Sequence, residues 1–249
     1  MERAARGVPR ERPRRDTGPV PGALKELVRG QLHALVSAQP FPCLGARSAL
    51  ANGSYLFNLH EDMGSSESLR DLAADLRHFA QVRLELGDLY SYVASFVEPR
   101  VPGDEAAWAS CFWALMQRLH EIDEDAWDHR FSRDPESPDF AFSFAGLGHL
   151  VVTLYPGASR FSRRFAWPTL VFNPLEQDRA QFPEDEAFLR FRDQIRLRDA
   201  RLQGQVNPSL PKTLDDSQVP GFAGAPVPSD WRCPLRLRPP PEAGKPTSQ

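Results

Sequence analysis

The sequence is poor in cysteine and lacks the short motifs that most often identify an enzyme class. Its three cysteines, Cys43, Cys111 and Cys233, stand far apart in a chain of 249 residues. This spacing fits no zinc pattern and leaves one cysteine unpaired, so reduced thiols are expected. The chain also contains no GxGxxG or Walker loop, no HExxH, no GxSxG and no CxxC. These absences remove the common sequence routes to nucleotide binding, zinc hydrolysis and serine hydrolysis.

Long apolar runs and a strong excess of one charge are also missing. No run approaches the roughly 20 apolar residues needed to cross a bilayer, and residues 1–16 lack the apolar core of a secretory signal. The formal net charge is −3 and the isoelectric point is about 6.1, which argues against general binding to nucleic acids or membrane surfaces. We therefore expect a soluble cytoplasmic protein with neither a membrane nor a nucleic acid as partner.

Composition separates the two ends of the chain from its middle. Residues 1–22 are rich in arginine and proline, and residues 239–249 contain almost no large apolar side chain. Both segments are therefore predicted to be disordered tails. Residues 23–238 are expected to form one domain, because a chain of this length with 41% hydrophobic residues can build one substantial core.

Apolar periodicity predicts both helices and strands within that domain. Large apolar residues at three- and four-residue spacing predict helices that begin near residues 24, 69, 104 and 184. Strands are predicted near residues 53–60, 89–97, 140–144, 149–155 and 169–172. The expected fold is α+β, a single domain with a mixed or antiparallel sheet of about five strands and helices packed chiefly on one face.

Residues 140–177 are the most informative stretch. A β-hairpin is predicted to lead into a loop that carries Arg160, Arg163 and Arg164, followed by a short strand that Asn173 and Pro174 close. Guanidinium groups pair with carboxylates through two parallel hydrogen bonds, so this loop is a candidate site for an anion or a cofactor. The alternative is that the three arginines are solvated or bridge to surface carboxylates.

The same stretch resembles a known family. Its pattern FSF…PGASRFSRRFAWPTLVFNP…EQ, together with FPC at residues 41–43, RDARLQGQVNP at 198–208 and DWRCP at 230–234, is similar to the YqcI/YcgG family. The resemblance extends from about residue 41 to residue 234. Family members include haem-dependent N-hydroxylases that oxidise guanidino nitrogens in guanitoxin and D-cycloserine biosynthesis. Two positions that usually carry histidine in the family are Tyr155 and Leu175 in this chain.

The resemblance implies a haem-dependent N-oxygenase that acts on a small guanidino or amino compound. Such an enzyme would use b-type haem, dioxygen and electrons from an external reductase, since no flavin or nicotinamide motif is visible. One alternative is a non-catalytic relative that binds haem or another ligand, and a further one is a structural or partner-binding protein without a cofactor. The oligomeric state is left open, with a homodimer among the options.

The resemblance also implies roles for individual residues. Haem propionates would be held by the three arginines of the loop, with Cys43 and Asn173 also at the cofactor. A cationic substrate would need a carboxylate, for which Glu176 and Asp199 are the candidates.

The axial ligand of the iron is the least determined of these roles. A tyrosinate can ligate haem, so Tyr155 is a candidate ligand. His120 and His149 are alternative metal ligands, and His60 and Cys43 are further alternatives. Strand alternation places His149, Val151, Thr153 and Tyr155 on one face and aliphatic residues on the other. The aliphatic face is expected to be the core face, which would leave Tyr155 on the side of a cofactor pocket.

Overall fold

The computed structural model of the protein describes residues 20–99, 103–177, 185–211, 213 and 215–238. The predicted tails at residues 1–22 and 239–249 lie outside these ranges, apart from the few residues that lead into the first helix. No helix in the described ranges is long and apolar enough to cross a bilayer.

Five helices and five strands make up the described domain. The helices are α1 (Gly22–Ser37), α2 (Leu44–Asn52), α3 (Ser66–Val82), α4 (Glu105–Ile122) and α5 (Asp185–Gln203). The strands are β1 (Tyr55–Asp62), β2 (Ser91–Glu98), β3 (Phe142–Phe144), β4 (Leu147–Leu154) and β5 (Thr169–Pro174). Beyond α5, residues 219–238 contain neither α-helix nor strand and begin with the short 3-10 helix Val219–Gly221; we call this segment the strap.

The strands form one mixed sheet in the order β1-β2-β5-β4-β3. β1 and β2 are parallel and are joined through α3, whereas the pairs β2–β5, β5–β4 and β4–β3 are antiparallel. The β3–β4 connection is tight, with Ala145 and Gly146 both at positive φ, 54° and 69°. The predicted α+β class and the five-stranded mixed sheet are confirmed.

Helices cover both faces of the sheet, which differs from the expectation that they lie chiefly on one. Tyr92, Ala94 and Phe96 of β2 pack with α3 and α4, while the intervening Val93 and Val97 pack with α1. The physical reason is that seven of the eight residues of β2 are buried, and a strand buried on both sides needs cover on both sides. Sequence alternation was too weak in β2 to reveal its second apolar face.

The burial of the two faces of β4 is the reverse of what the sequence predicts. His149, Val151, Thr153 and Tyr155 are all 0–1% exposed, so the face that carries the polar groups is the more deeply buried one. Burial is tolerated because the polar groups have partners: His149 Nδ1 lies 3.2 Å from the Phe142 carbonyl oxygen, and the Thr153 hydroxyl donates to the Phe222 carbonyl at 3.1 Å. The strap and α4 lie over this face and supply several of those partners.

α4 is the helix that positions the candidate site. Asp104 caps its N-terminus by accepting a hydrogen bond from Ala107 N at 2.8 Å. One stripe of the helix enters the core, and its members are Trp108, Phe112, Leu115, Met116 and Leu119. The flank of the helix beside this stripe, which we call its outer stripe, faces the strap.

Candidate functional site

An open groove of about 1080 Å³ lies between the outer stripe of α4 and the strap. The helix contributes a row of residues in which each is the surface neighbour of the one four positions on, so that the row winds along the helix; they are Glu105, Ala109, Trp113, Gln117 and Glu121. The strap supplies the facing wall, which is rich in proline and includes Pro226, Pro228, Trp231, Pro234 and Arg236. The groove thus has an aromatic and apolar middle with carboxylates along the helix.

The strap approaches the sheet closely beside this groove. Gly224 adopts φ +74°, and a Cβ atom at that position would lie 3.0 Å from Thr153 Oγ1. A residue without a side chain is required by both the backbone conformation and the space. Trp108 Nε1 donates to the Ala223 carbonyl at 2.8 Å, which fixes the strap to the core stripe of α4.

Glu105 is the carboxylate of the groove that both a buried tyrosine and a backbone amide contact. Its Oε1 accepts hydrogen bonds from the Tyr155 hydroxyl and from Ser159 N, both at 2.9 Å. Tyr155 is fully buried and stacks on Trp108, with ring centroids 4.5 Å apart and an interplanar angle of 17°. Two donors on one oxygen hold the carboxylate in one orientation. Among the described lysines and arginines, none lies within ion-pair distance of Glu105.

The charge of the groove is negative. Asp104, Glu105 and Glu121 line it against the single guanidinium of Arg236. Trp113 forms a buried floor, and its ring centroid lies 5.9 Å from that of Trp231 in the strap. A carboxylate beside an aromatic face favours a cation, since both attract positive charge.

Tyr155 therefore acts as a hydrogen-bond donor to Glu105. Burial, and after it the hydrogen bond to Glu105, raises the pKa of Tyr155, so its phenol stays protonated at neutral pH. A tyrosinate ligand would require loss of this proton and of the stacking contact. The arrangement does not fit Tyr155 as an iron ligand.

Glu176, predicted as a substrate carboxylate, lies in a separate cluster where the protein itself supplies the cations. It accepts hydrogen bonds from Arg83, from Arg130 and from the Tyr90 hydroxyl, the last at 2.9 Å. Burial alone would raise the pKa of Glu176, but the hydrogen bonds from Arg83, Arg130 and Tyr90 outweigh it and lower the pKa to about 2. Burial and the same Glu176 contact raise the pKa of Tyr90 to about 12.

Asp128 extends this cluster towards the β3–β4 hairpin. Its carboxylate accepts from Arg130 Nη2 at 2.7 Å and from Gly148 N at 2.9 Å, and its backbone N donates to the Ser143 hydroxyl at 2.9 Å. Against the opposing effect of burial, the hydrogen bonds from Arg130 and Gly148 lower the pKa of Asp128. The cluster locks the residues after β5 to the hairpin and to α3.

His149 lies near this cluster and has a buried ring nitrogen without a hydrogen-bond partner. Its Nδ1 contacts the Phe142 carbonyl, so Nδ1 carries the proton, while Nε2 is buried and has no hydrogen-bond partner. Burial lowers the pKa of His149 to about 4. A neutral imidazole with a fixed tautomer is the form that ligates a metal, but the ring is only 1% exposed and does not line the groove.

The other candidate ligands have protein partners. His120 Nε2 accepts from Arg238 N at 3.0 Å, and His60 Nε2 lies 3.2 Å from the Tyr92 hydroxyl. Cys43 caps α2, where its sulfur accepts from Ala46 N at 3.4 Å. In the described ranges, no group of three or more His, Cys, Asp or Glu side chains could hold a metal ion. The donor chemistry of His149 is thus compatible with haem ligation, but the ring is buried among other side chains.

The arginine loop meets α5, so two stretches of the family pattern come together in space. Arg160 is buried and pairs with Asp199, which also accepts from the Ser162 hydroxyl at 3.0 Å. Gln203 accepts from Phe161 N at 2.8 Å and donates to the Ser159 carbonyl at 3.2 Å. Asp199 is therefore paired within the protein and does not face the groove.

Arg163 and Arg164, predicted to hold propionates, bind backbone carbonyls. Arg163 Nη1 donates to Thr153 O at 3.1 Å and Arg164 Nε donates to Ala158 O at 2.9 Å. Burial lowers the pKa of Arg163, and the nearby Cys43 and Asp199 act in the opposite direction. Asn173 accepts from the Ser91 hydroxyl at 2.7 Å and joins β5 to β2. These residues stabilise the fold around the site and leave the groove to other side chains.

Sequence reasoning missed the groove residues. Glu105, Trp113 and Glu121 do carry a signal, because acidic and aromatic residues recur at eight-residue spacing outside the core stripe of α4. Nothing in the sequence marks the strap as the facing wall. Its contact with α4 joins Trp113 to Trp231 across more than a hundred residues.

Comparison with known proteins assigns the chain to a family. The model of the YqcI/YcgG family matches residues 32–236, so the chain belongs to this family. Two Bacillus subtilis (strain 168) relatives are similar to it: the uncharacterized protein YcgG, 26% identical over 141 residues, and the uncharacterized protein YqcI, 25% identical over 138 residues. These matches cover 55% and 54% of this chain and 56% and 54% of the relatives, so the chain spans about half the length of the curated relatives it matches. No solved structure matches.

Proposed function

We propose that this member of the YqcI/YcgG family binds a small guanidino or amino compound in the groove between α4 and the strap. The observation that carries the proposal is Glu105, a carboxylate whose Oε1 is fixed by Tyr155 and Ser159 and which has no cation among the described side chains. The compound class is the one that the sequence resemblance implies, and a negative groove favours its cationic form.

The recognition is expected to combine charge with aromatic contact. A guanidinium or ammonium group would pair with Glu105, and charge-assisted hydrogen bonds of this kind are stronger than neutral ones. The methylene chain of the ligand would lie over Trp113 and the prolines of the strap, which bury apolar surface. Glu121, sixteen residues further along α4, lies about 24 Å away by helix geometry, so a small ligand engages one of the two glutamates.

Calorimetric titration with L-arginine and L-citrulline tests the proposal. The two amino acids have nearly the same shape, but only arginine carries a cationic side chain. We expect L-arginine to bind at least tenfold more tightly than L-citrulline, and Glu105→Gln to abolish that difference.

The matched control is Glu67→Gln, which removes an exposed carboxylate from the first turn of α3. This variant should bind both amino acids as the unaltered protein does. Equal affinity for arginine and citrulline, or unchanged arginine binding in Glu105→Gln, would show that the groove does not recognise a cation.

Haem-dependent N-oxygenation of the bound nitrogen is the second candidate function. The observation that favours it is His149, whose Nδ1–H is held by a backbone carbonyl and whose Nε2 has no partner. Haem would supply activation of dioxygen, with electrons from an external reductase. The nitrogen would have to lie beside the iron, and His149 is about 20 Å along the strand from the Tyr155 that holds Glu105, so this candidate uses a binding position other than Glu105. Uncovering His149 would require movement of the side chains packed on it.

Purification of the protein expressed with added haem tests this candidate. A Soret band that Tyr155→Phe leaves unchanged and His149→Ala abolishes would support ligation by His149, with the exposed His129→Ala as control. A colourless protein would leave ligand binding in the groove as the function. If the band appears, turnover with a guanidino compound, dioxygen and a reductant separates an enzyme from a haem-binding relative.

A further inference from the structure

The end of the strap, residues 231–238, is fastened to α4 by a set of hydrogen bonds along one side of the helix. Gln117 pairs with Arg236 through both atoms of its amide: Oε1 accepts from the backbone N at 2.8 Å and Nε2 donates to the carbonyl at 3.2 Å. One turn further, His120 Nε2 accepts from Arg238 N at 3.0 Å. Leu235, which precedes Arg236, is buried in the main core.

The protonation state of His120 is determined by this contact. A backbone N–H can only donate, so Nε2 of His120 must be the unprotonated nitrogen. Protonation would place a donor against a donor and would break the hydrogen bond to Arg238. It would also add a positive charge beside two guanidinium groups.

The surroundings of His120 oppose that charge. Burial is the largest influence, followed by the charges of Arg238 in the strap and Arg133 in the loop after α4, and together they lower the pKa of His120. Glu121 on α4 acts in the opposite direction. Trp127 packs edge-on against the ring, with centroids 6.1 Å apart.

The same hydrogen bonds determine the shape of the groove. Trp231, Pro234 and Arg236 form part of its wall, and all three belong to the fastened segment. The Arg238 guanidinium reinforces the attachment by donating to the carbonyl of His120 at 2.8 Å and to that of Asp123. Release of residues 231–238 would remove one wall and leave α4 with an open, acidic face.

We propose that His120 is a pH-sensitive latch, which holds residues 231–238 on α4 when neutral and releases them when protonated in mildly acidic solution. The proposal concerns regulation of the groove, and so its biological meaning rests on the proposed function, although the latch itself does not require a ligand. An undocked His120 has a pKa near 6.5 and the docked one a lower pKa, so docking is strongest above pH 6.5 and weakens as the pH falls below it.

Hydrogen–deuterium exchange of the ligand-free full chain tests the latch. After correction for intrinsic exchange, the peptide that contains the amides of Arg236 and Arg238 should exchange faster at pH 5.5 than at pH 7.5. Because pH 5.5 is one unit below the pKa of the undocked histidine, the exchange rate of this peptide can rise by up to about tenfold. A peptide from β5 should keep its protection at both values, which separates strap release from global unfolding.

Three variants identify the residue responsible. His120→Gln has a side-chain oxygen that can accept and cannot titrate, so its strap exchange should be the same at both pH values. His129→Gln, which alters an exposed histidine in the following loop, should keep the full dependence on pH. Gln117→Leu should speed strap exchange at both pH values while the ratio between them stays the same.

Strap exchange that does not change with pH in the unaltered protein would overturn the latch, as would an undiminished pH ratio in His120→Gln. Either result can be obtained without any ligand. Failure of the latch is thereby distinguishable from failure of cation binding in the arginine titration.

Discussion

Two glutamates of this protein, Glu105 and Glu176, each accept a hydrogen bond from a tyrosine hydroxyl at 2.9 Å. Around Glu176 the protein adds Arg83 and Arg130, so the carboxylate is neutralised from within. Among the described groups, the only further hydrogen-bond donor to Glu105 is the backbone N of Ser159, and the carboxylate lines a groove. The first arrangement connects elements of the fold, whereas the second leaves a charge for an external partner. Residue type and tyrosine contact alone do not distinguish a structural carboxylate from a binding one.

The largest loss of stability should come from the ion pair of Asp199, a third carboxylate whose charge an arginine of the protein neutralises. Arg160→Ala leaves Asp199 buried without its ion partner, and loss of one member of a buried pair costs about 3–5 kcal/mol. Arg164→Ala removes an exposed arginine and should change the free energy of unfolding by about 0.5 kcal/mol. Urea denaturation at pH 7 measures both. Similar losses in the two variants would mean that the Arg160–Asp199 pair is not a structural element.

Glu176→Gln should reduce the free energy of unfolding by about 2–3 kcal/mol, because two guanidinium groups lose their anion. Glu105→Gln keeps an oxygen for Tyr155 and Ser159 and should stay within about 0.5 kcal/mol of the unaltered protein. Urea denaturation at pH 7 measures the free energy of unfolding of both variants. A stability loss in Glu105→Gln as large as that in Glu176→Gln would show that Glu105 is also a structural carboxylate.

At acidic pH, the unaltered protein and Glu176→Gln should have nearly the same free energy of unfolding. The pKa of Glu176 is about 2 in the folded protein and 4.5 in the unfolded chain, so the unfolded chain binds the proton first as the pH falls. The stability that Glu176 contributes is complete above pH 4.5 and is lost as the pH falls towards 2. Unfolding free energies at pH 6, 5, 4 and 3 should show the two proteins converging. A constant gap across that range would mean that the hydrogen bonds do not depend on the charge of Glu176.

Removal of the hydroxyl from Tyr90 or Tyr155 should have the smallest effect and distinguishes the two glutamates most specifically. Tyr90→Phe and Tyr155→Phe each remove one hydroxyl and should each cost about 1 kcal/mol of stability. Only Tyr155→Phe should also weaken L-arginine binding, severalfold, because it loosens Glu105 while the stacking on Trp108 persists. Calorimetry and denaturation on the same samples provide both values. Equal arginine affinity in the two variants would show that Tyr155 does not position Glu105.

Local patterns in the sequence predicted all five strands and four of the five helices, missing α2, but they did not predict which distant residues pair. The cap at Asp104 and the core stripe of α4 depend on residues three or four apart, so they can be read from the chain. The pairing of Glu176 with Arg83 and Arg130 depends on residues 93 and 46 positions away. Alternation along β4 separated its two faces correctly. It gave the wrong core face because His149, Thr153 and Tyr155 each have a polar partner from a distant segment.

The order of strands in the sheet also has a consequence for how the chain folds. The β1–α3–β2 unit covers residues 55–98 and the β3–β4–β5 unit covers residues 142–174, so each forms from near neighbours in sequence. They join where β2 pairs with β5, at a seam where the Ser95 and Thr169 hydroxyls lie 2.8 Å apart. Contacts across long loops form later than local ones, because closing the loop costs entropy. α4 lies within the loop that this seam closes, and the strap follows β5 in the chain. We therefore expect the groove to be completed late in folding, after the two halves of the sheet have paired.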